Sequence, residues 1–184
     1  MKSGWAAAIL LAGPMHLPRL CDIRLIDLCD PKIPATRQPY HAAMGKLETD
    51  AVKLKARLQI VRRVTKQSVA RIVSDHRRDG GKIRRAGLVV GSQIDPTLIA
   101  NPHIRAHALE GQLFRTALVG ALRVHQIRCI VLTECEAIAR ASTLLGKSPA
   151  ELRRVINEMG RTAHGPWRAE QKLATIAAWF ALAS

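Results

Sequence analysis

The sequence is poor in aromatic and acidic residues. Its 184 residues include only three Trp, two Phe and one Tyr. Proteins that stack single-stranded bases need several exposed aromatic side chains, so this composition disfavours a stacking platform.

Asp and Glu together number 14, against 29 Lys and Arg, which gives a formal net charge of +15. This positive field favours a polyanionic partner, namely nucleic acid, an anionic membrane or an acidic protein. A merely solubilising surface is the alternative.

Paired cysteines and long apolar runs are also missing. The cysteines form no Cys-x-x-Cys pair; they are Cys21, Cys29, Cys129 and Cys135. We therefore expect neither a disulfide framework nor a cysteine zinc cage. We expect a reducing, cytoplasmic location. No stretch approaches the roughly 20 apolar residues of a membrane span. The apolar run from Trp5 to Leu11 imitates a signal peptide but reaches Pro14 without a clear cleavage site, which favours a buried strand.

Apolar periodicity predicts one α/β domain over residues 1–184. Segments 5–11, 20–28, 86–91 and 129–132 have the pattern of strands. Three- and four-residue spacing predicts helices over about 50–75 and 102–123, two shorter helices, and a last helix from about 165 to 182. Between residues 30 and 45, three prolines block any helix interior. Helices between strands favour a sheet with a parallel section, and ligands of such sheets bind beyond the carboxyl ends of the strands.

A basic segment coincides with the long predicted helix. Between Lys53 and Arg85 there are 12 Lys or Arg and two acids, Asp75 and Asp79. Too few acids are present for intrahelical pairing to explain the segment, and no Trp or Phe is available to anchor it in a membrane. We therefore predict phosphate contacts, with a solvated helix face as the alternative. The predicted nucleic-acid-binding residues are Arg62, Arg63, Lys66, Arg77, Arg78, Arg84 and Arg85.

Five short motifs, in order, resemble those of the Holliday-junction resolvases and their relatives, the RuvC/YqgF group. They are Lys2-Ser3-Gly4-Trp5-Ala6-Ala7, Val89-Val90-Gly91-Ser92-Gln93, the Gly-Gln helix of residues 109–118, the stretch 145–151 and Ala169-Glu170-Gln171-Lys172-Leu173-Ala174-Thr175. The resemblance covers about two thirds of the chain. It implies a ribonuclease H-like mixed sheet flanked by helices.

The resemblance also implies a phosphodiester-cutting site, in which carboxylates hold Mg²⁺. The matching register puts the first metal-binding Asp just before Met1, so the start of the first strand is expected to be missing from residues 1–184. Ser92 stands at the position of the family's Glu, and Ala169 and Lys172 stand at the positions of its last two Asp residues. The family's metal-binding acids are thus not matched.

Three nearby acids are the remaining candidates for catalysis: Glu134, Glu170 and Asp95. Glu134 follows a predicted strand, where a solvated strand-end acid is the alternative. Glu170 lies in a first helical turn, where an acid also suits the helix dipole. Asp95 precedes Pro96 and also suits a turn. Glu134 and Glu170 are the predicted Mg²⁺ ligands.

Two hypotheses of function follow. The first is a resolvase-like, Mg²⁺-dependent, structure-selective endonuclease. The second is a non-catalytic nucleic-acid-binding or scaffold module without the metal site. Branched or structured DNA is the expected partner, with RNA an open alternative. A membrane partner is not expected, and homodimerisation stays open.

A histidine pair opens the second predicted long helix. His103 and His107 are one turn apart, and Glu110 follows three residues later on the same face. This spacing is compatible with zinc, but no cysteine is placed to complete a cage. The sequence therefore favours a pair that faces solvent or phosphate.

Overall fold

The computed structural model of the chain describes residues 1–42 and 45–184. Ala43 and Met44, in the segment predicted to be irregular, lie outside the described residues. The strands are β1 (Trp5–Ala12), β2 (Arg19–Asp27), β3 (Arg85–Val90) and β4 (Arg128–Thr133). The helices are α1 (Ala51–Arg78), α2 (Pro102–Val124), α3 (Glu134–Leu145), α4 (Pro149–Arg161) and α5 (Ala169–Ala183). The predicted α/β fold class is confirmed.

The strands form two hydrogen-bonded pairs of opposite type. β1 pairs with β2 antiparallel, with Trp5 opposite Asp27 and a register shift between Leu10 and Leu11. β3 pairs with β4 parallel, with Arg85 opposite Arg128. α2 supplies the crossover between β3 and β4, as a parallel connection requires. The strand directions are therefore mixed, and the predicted parallel section is β3–β4.

A cavity of about 530 Å³ separates the two pairs of strands. Residues 6–12 of β1 line one side of it, and residues 82–88, which lead into β3, line the other. The Met1 amino group donates to the carbonyl of Val89 at 3.4 Å. The start of β1 thus lies near the carboxyl end of β3, so these two strands run in opposite directions across the cavity.

Two hydrophobic cores lie on opposite sides of the strands. The first joins α1 and α2 to the strands through residues such as Val61, Val69 and Phe114. The second joins α3, α4 and α5 to them through Leu132, Ile176 and other apolar residues. The cores use successive β3 residues, since Leu88 contacts the first and Val89 belongs to the second. This is the alternation that a strand with helices on both faces requires.

Gly87 of β3 allows the close approach of α5. A Cβ atom built at this position would lie 2.1 Å from the carbonyl oxygen of Ala177. No real Cβ contact is that short, so the helix could not pack here against any other residue. α5 is accordingly the most deeply buried helix, with Trp179 only 1% exposed.

The structure differs from the prediction in the bounds of helices and in the burial of β1, and α1 extends to Arg78 rather than ending near residue 75. α5 begins at Ala169 rather than near residue 165, because Gly165 has a φ of +125° and the Trp167 indole donates instead to the carbonyl of Ile156 at 3.1 Å. β1 forms as predicted but is half-buried over most of its length, because it borders the cavity. Within residues 1–42 and 45–184, no helix is both long and apolar enough to span a bilayer.

Candidate functional site

The seven predicted phosphate-binding cations, here taken together as the basic face, lie on α1 and around the start of β3. This face consists of Arg62, Arg63, Lys66, Arg77 and Arg78 of α1 together with Arg84 and Arg85 before and at the start of β3. All seven side chains are exposed. On the opposite side of α1, a stripe with four-residue spacing is buried; it consists of Val61, Thr65, Val69 and Val73. The helix periodicity therefore separates an apolar face from a basic one, as predicted.

Two side-chain hydrogen bonds fix how α1 is rotated on the sheet. The hydroxyl of Thr65 donates to the carbonyl of Leu28 at 3.4 Å. The hydroxyl of Ser68 donates to the carbonyl of Asp27 at 2.7 Å. Both acceptors lie at the end of β2, so the middle of α1 is hydrogen-bonded to the end of this strand. The α1 residues of the basic face consequently point toward solvent in this orientation of the helix.

The cations of α1 follow a regular line. Lys55, Lys66 and Arg77 are separated by eleven residues each, which is close to three full turns. At 1.5 Å per residue this line spans about 33 Å, and Arg62 lies one turn before Lys66 on the same side. Such a length corresponds to about ten base pairs along a duplex. The line is therefore long enough to contact several successive phosphates.

Few acids neutralise the basic face. Among the described residues, Arg78 is the only one of its seven members with an ion pair, and its partner is Asp75. Asp75 also accepts from Arg24 at 2.8 Å. The hydrogen bond from Arg24, followed by that from Arg78, lowers the pKa of Asp75 below its ordinary value of 3.8. The other six cations are left to solvent or to an external anion.

The basic face continues across the start of the parallel strands. Arg85 of β3 stands opposite Arg128 of β4, and both side chains are exposed. Like charges in direct register repel each other, which costs stability in the absence of a counter-ion. An oxyanion between the two guanidinium groups would offset that repulsion.

The two predicted Mg²⁺ ligands, Glu134 and Glu170, lie at one pocket. Both line a small pocket of about 90 Å³, which also includes Met1, Lys2 and Leu88. Glu134 is the first residue of α3, directly after β4, and Glu170 is in the first turn of α5. The ammonium of Lys2 lies 3.7 Å from Oε1 of Glu170. The two carboxylates therefore share their pocket with a cation.

Asp95 is not among the residues that line this pocket. Its carboxylate accepts from the backbone N–H of Thr97 at 2.9 Å and from the hydroxyl of Thr97 at 2.8 Å. These bonds cap the short 3-10 turn Pro96–Leu98 and lower the pKa of Asp95. The arrangement is the turn-forming role that the sequence offered as the alternative.

The acidic pocket and the start of β3 lie at opposite ends of the parallel strands. Arg85 is the first residue of β3, whereas Glu134 follows the last residue of β4. The five residue steps of β3 cover about 16 Å. A nucleic acid bound at Arg84 and Arg85 must therefore extend along the strands to reach Glu134.

Three histidines form a cluster at the start of α2. His103 and His107 of α2 meet His41 of the segment between β2 and α1, and one ring nitrogen from each lies within 4.8 Å of the other two. Beneath them is Glu110, which is 1% exposed. Burial raises the pKa of Glu110, and the hydrogen bond from His41 opposes that rise.

The sequence favours a His103–His107 pair that faces solvent or phosphate, and the structure adds His41 to this pair. No local spacing signals the role of His41, because 62 residues separate it from His103. Its place is set by Arg57 of α1, which donates to the carbonyls of Pro39 and His41 at 3.1 and 3.2 Å and pairs with Glu48 at 3.0 Å. Only the tertiary fold brings this segment onto α2.

Comparisons with known proteins give one similarity of fold. No protein-family model matches the chain, and no curated protein matches its sequence. Among solved structures, the chain is similar to the RuvC structure from Thermus thermophilus, with 12% sequence identity and a TM-score of 0.47. The alignment covers 96% of this chain and 92% of the other.

Proposed function

We propose that this chain is a ribonuclease H-like, resolvase-like domain spanning residues 1–184 that binds the backbone of structured nucleic acid through its basic face. The observation that carries the proposal is the exposure of seven cations, six of them without an acid partner among the described residues. Phosphate binding releases the counter-ions of a polyanion, and this release is the main source of affinity in such surfaces. Branched DNA is the proposed partner.

Binding at the basic face would read shape rather than sequence. Three of the six aromatic residues are buried and the other three are half-buried. Trp179, for example, donates its indole N–H to the carbonyl of Met15 at 2.8 Å. With the aromatic rings committed to packing, the exposed contacts available are charged ones, which position a backbone but do not distinguish bases.

Paired variants test this proposal. Arg62→Ala combined with Lys66→Ala removes two neighbouring members of the basic face. Lys32→Ala combined with Arg154→Ala removes the same charge from exposed positions outside it. We expect the first pair to weaken binding of a labelled four-way DNA junction at least tenfold and to lower the salt slope by about 1.8, at about 0.9 per phosphate contact. Equal losses in both pairs would refute a localised site.

Phosphodiester hydrolysis is the second candidate function. It is favoured by the convergence of Glu134 and Glu170 in one pocket beyond the carboxyl end of β4. Mg²⁺ takes oxygen ligands, and two carboxylates with an ammonium beside one of them are too few to hold a pair of ions. The donor set therefore does not fit a two-metal centre. The alternative is a binding or scaffold module without hydrolysis.

Cleavage assays separate these alternatives. The purified chain is incubated with a labelled four-way junction with and without Mg²⁺, beside Glu134→Ala and Glu170→Ala. Glu158→Ala, an exposed acid of α4, is the matched control. Metal-dependent cutting that both pocket variants abolish would establish the nuclease. Salt-sensitive binding without cutting would support the binding module.

A further inference from the structure

We infer that His41, His103 and His107 form a binding site for a divalent transition-metal ion, Zn²⁺ in the first instance, with the three Nε2 atoms as ligands. The fourth position is open to solvent, because His103 and His107 are exposed. The site is independent of the proposed nucleic-acid binding. Three observations support the inference: the tautomers of His41 and His103, the distances between the ring nitrogens, and a buried nitrogen of His41 without a hydrogen-bond partner in the described chain.

Hydrogen bonds to Nδ1 fix the tautomers of His41 and His103. Nδ1 of His41 lies 2.8 Å from Oε1 of Glu110. Nδ1 of His103 lies 3.0 Å from the carbonyl oxygen of Gly45. Nδ1 of His107 lies 3.5 Å from Oε2 of Glu110. A carbonyl oxygen and a carboxylate can only accept, so Nδ1 of His41 and Nδ1 of His103 carry the proton and these two neutral rings keep a lone pair on Nε2. The contact between His107 and Glu110 is an ion-pair distance, since Oε2 of Glu110 has no hydrogen-bond partner among the described residues.

The Nε2 atoms face one another. Nε2 of His103 and Nε2 of His107 are 3.3 Å apart. Two lone pairs at that separation repel each other unless a proton or a metal ion lies between them. Zinc–nitrogen bonds of about 2.0–2.1 Å at the tetrahedral angle place two ligand nitrogens about 3.3–3.4 Å apart. The observed separation is therefore that of two ligands on one ion.

Nε2 of His41 supplies the third ligand. This atom is buried and has no hydrogen-bond partner in the described part of the chain. A buried polar atom without a partner costs free energy, which a metal bond would recover. The rings of His41 and His107 have centroids 4.4 Å apart, and those of His41 and His103 5.1 Å apart. The orphaned nitrogen thus belongs to the same cluster.

Glu110 supports the ligands from below. Each of its carboxylate oxygens faces the Nδ1 atom of a different histidine, His41 at 2.8 Å and His107 at 3.5 Å. A carboxylate behind a ligating imidazole orients the ring and raises its basicity, a pattern common in histidine zinc sites. Gly45 also contributes, since a Cβ atom there would come within 3.1 Å of Nδ1 of His103. The surroundings of the cluster are therefore suited to hold the rings in place.

Nitrogen ligands select the class of ion. Three imidazoles suit Zn²⁺ and related first-row ions, whereas Mg²⁺ and Ca²⁺ require oxygen donors. Three protein ligands with an open fourth position leave room for a bound water. The ion would join the irregular segment that carries His41 to the first two turns of α2.

Metal titration of the full chain tests the site. The protein is stripped with a chelator and titrated with Zn²⁺ against a chromophoric competitor, and with Co²⁺ while its visible absorption is recorded. We expect one ion per chain and the intense absorption of four-coordinate Co²⁺. His41→Ala and His107→Ala should each weaken Zn²⁺ binding at least 100-fold, and Glu110→Gln about 10- to 100-fold. His164→Ala, which alters an exposed histidine outside the cluster, should bind as the parent does.

Three outcomes would overturn the inference. The first is the absence of stoichiometric binding. The second is unchanged affinity in His41→Ala, which would leave only a surface pair on α2. The third is a loss of Zn²⁺ affinity in His164→Ala as large as the loss in the cluster variants. Because His41 is buried and its variant can lose structure, circular dichroism is recorded for each protein. The exposed His107 gives a second variant whose fold does not depend on core packing.

Discussion

Arg85 and Arg128 stand opposite each other in the parallel pair β3–β4, with both guanidinium groups exposed. Direct register between like charges costs stability, typically about 0.2–1 kcal/mol. Arg85 is also a member of the basic face. We interpret the pair as part of the phosphate-binding surface, because an anion would turn the repulsion into two charge-assisted hydrogen bonds.

Arg128→Ala should therefore change stability and binding in opposite directions. Without nucleic acid at low salt, removing the like charge should raise the free energy of unfolding by about 0.2–1 kcal/mol. Affinity for a four-way junction should fall severalfold. Denaturant unfolding and fluorescence anisotropy measure the two quantities. Arg153→Ala on α4 is the control, and a parallel loss of stability and affinity would contradict the interpretation.

Asp75→Asn should remove a pH-dependent contribution to stability. The Arg24 hydrogen bond lowers the folded-state pKa of Asp75 below 3.8. A group with a depressed folded-state pKa stabilises the fold above its unfolded value and loses that effect as the pH falls through the folded one. Thermal unfolding should show the variant less stable than the parent at pH 7. The difference should shrink as the pH falls below about 4, and a difference that persists at pH 2 would argue against this ion pair.

The four thiols should react at very different rates. Cys21 and Cys135 are exposed, whereas burial raises the pKa of Cys129 to about 11. Burial also raises the pKa of Cys29. At pH 8, about one in a thousand Cys129 thiols is ionised, and the thiolate is the reactive form. Mass spectrometry after brief alkylation should find Cys21 and Cys135 modified and Cys129 intact. Modification of all four cysteines should require denaturant. Early modification of Cys129 in native protein would show that β4 does not bury this thiol as described.

Two glycine variants should have opposite effects on stability. Gly87→Ala forces a methyl group against the backbone of α5, and we expect a loss of about 1–3 kcal/mol. Gly120→Ala adds a methyl group to α2 where nothing lies within 4 Å, and we expect a gain of about 0.5–1 kcal/mol. Denaturant unfolding measures both. Equal effects at the two positions would mean that α5 does not pack on β3 as closely as described.

Much of the fold follows from local sequence signals. The four-residue stripe of α1 and the capping box of Ser148 and Glu151 both predict the elements that form. Strand-end reasoning points to Glu134, which directly follows β4, whereas Glu170 is suggested by the family resemblance of the last helix.

The remainder depends on contacts between distant segments. His41 joins α2 because Arg57 holds its backbone, and no periodic pattern encodes that contact. Likewise, the apolar run of β1 predicts a buried strand, whereas the strand is half-buried because it borders the cavity that separates it from β3. Sequence periodicity reports which face of an element is apolar but not what packs against it.

The salt dependence of junction binding tests the central proposal most directly. Affinity for a labelled four-way DNA junction is measured by anisotropy from about 50 to 300 mM salt, with a duplex of equal length in parallel. If the six cations without acid partners contact phosphate, the plot of log affinity against log salt should have a slope of about −5. The junction should bind more tightly than the duplex. A slope near zero, or no binding at 50 mM salt, would contradict a phosphate-binding basic face.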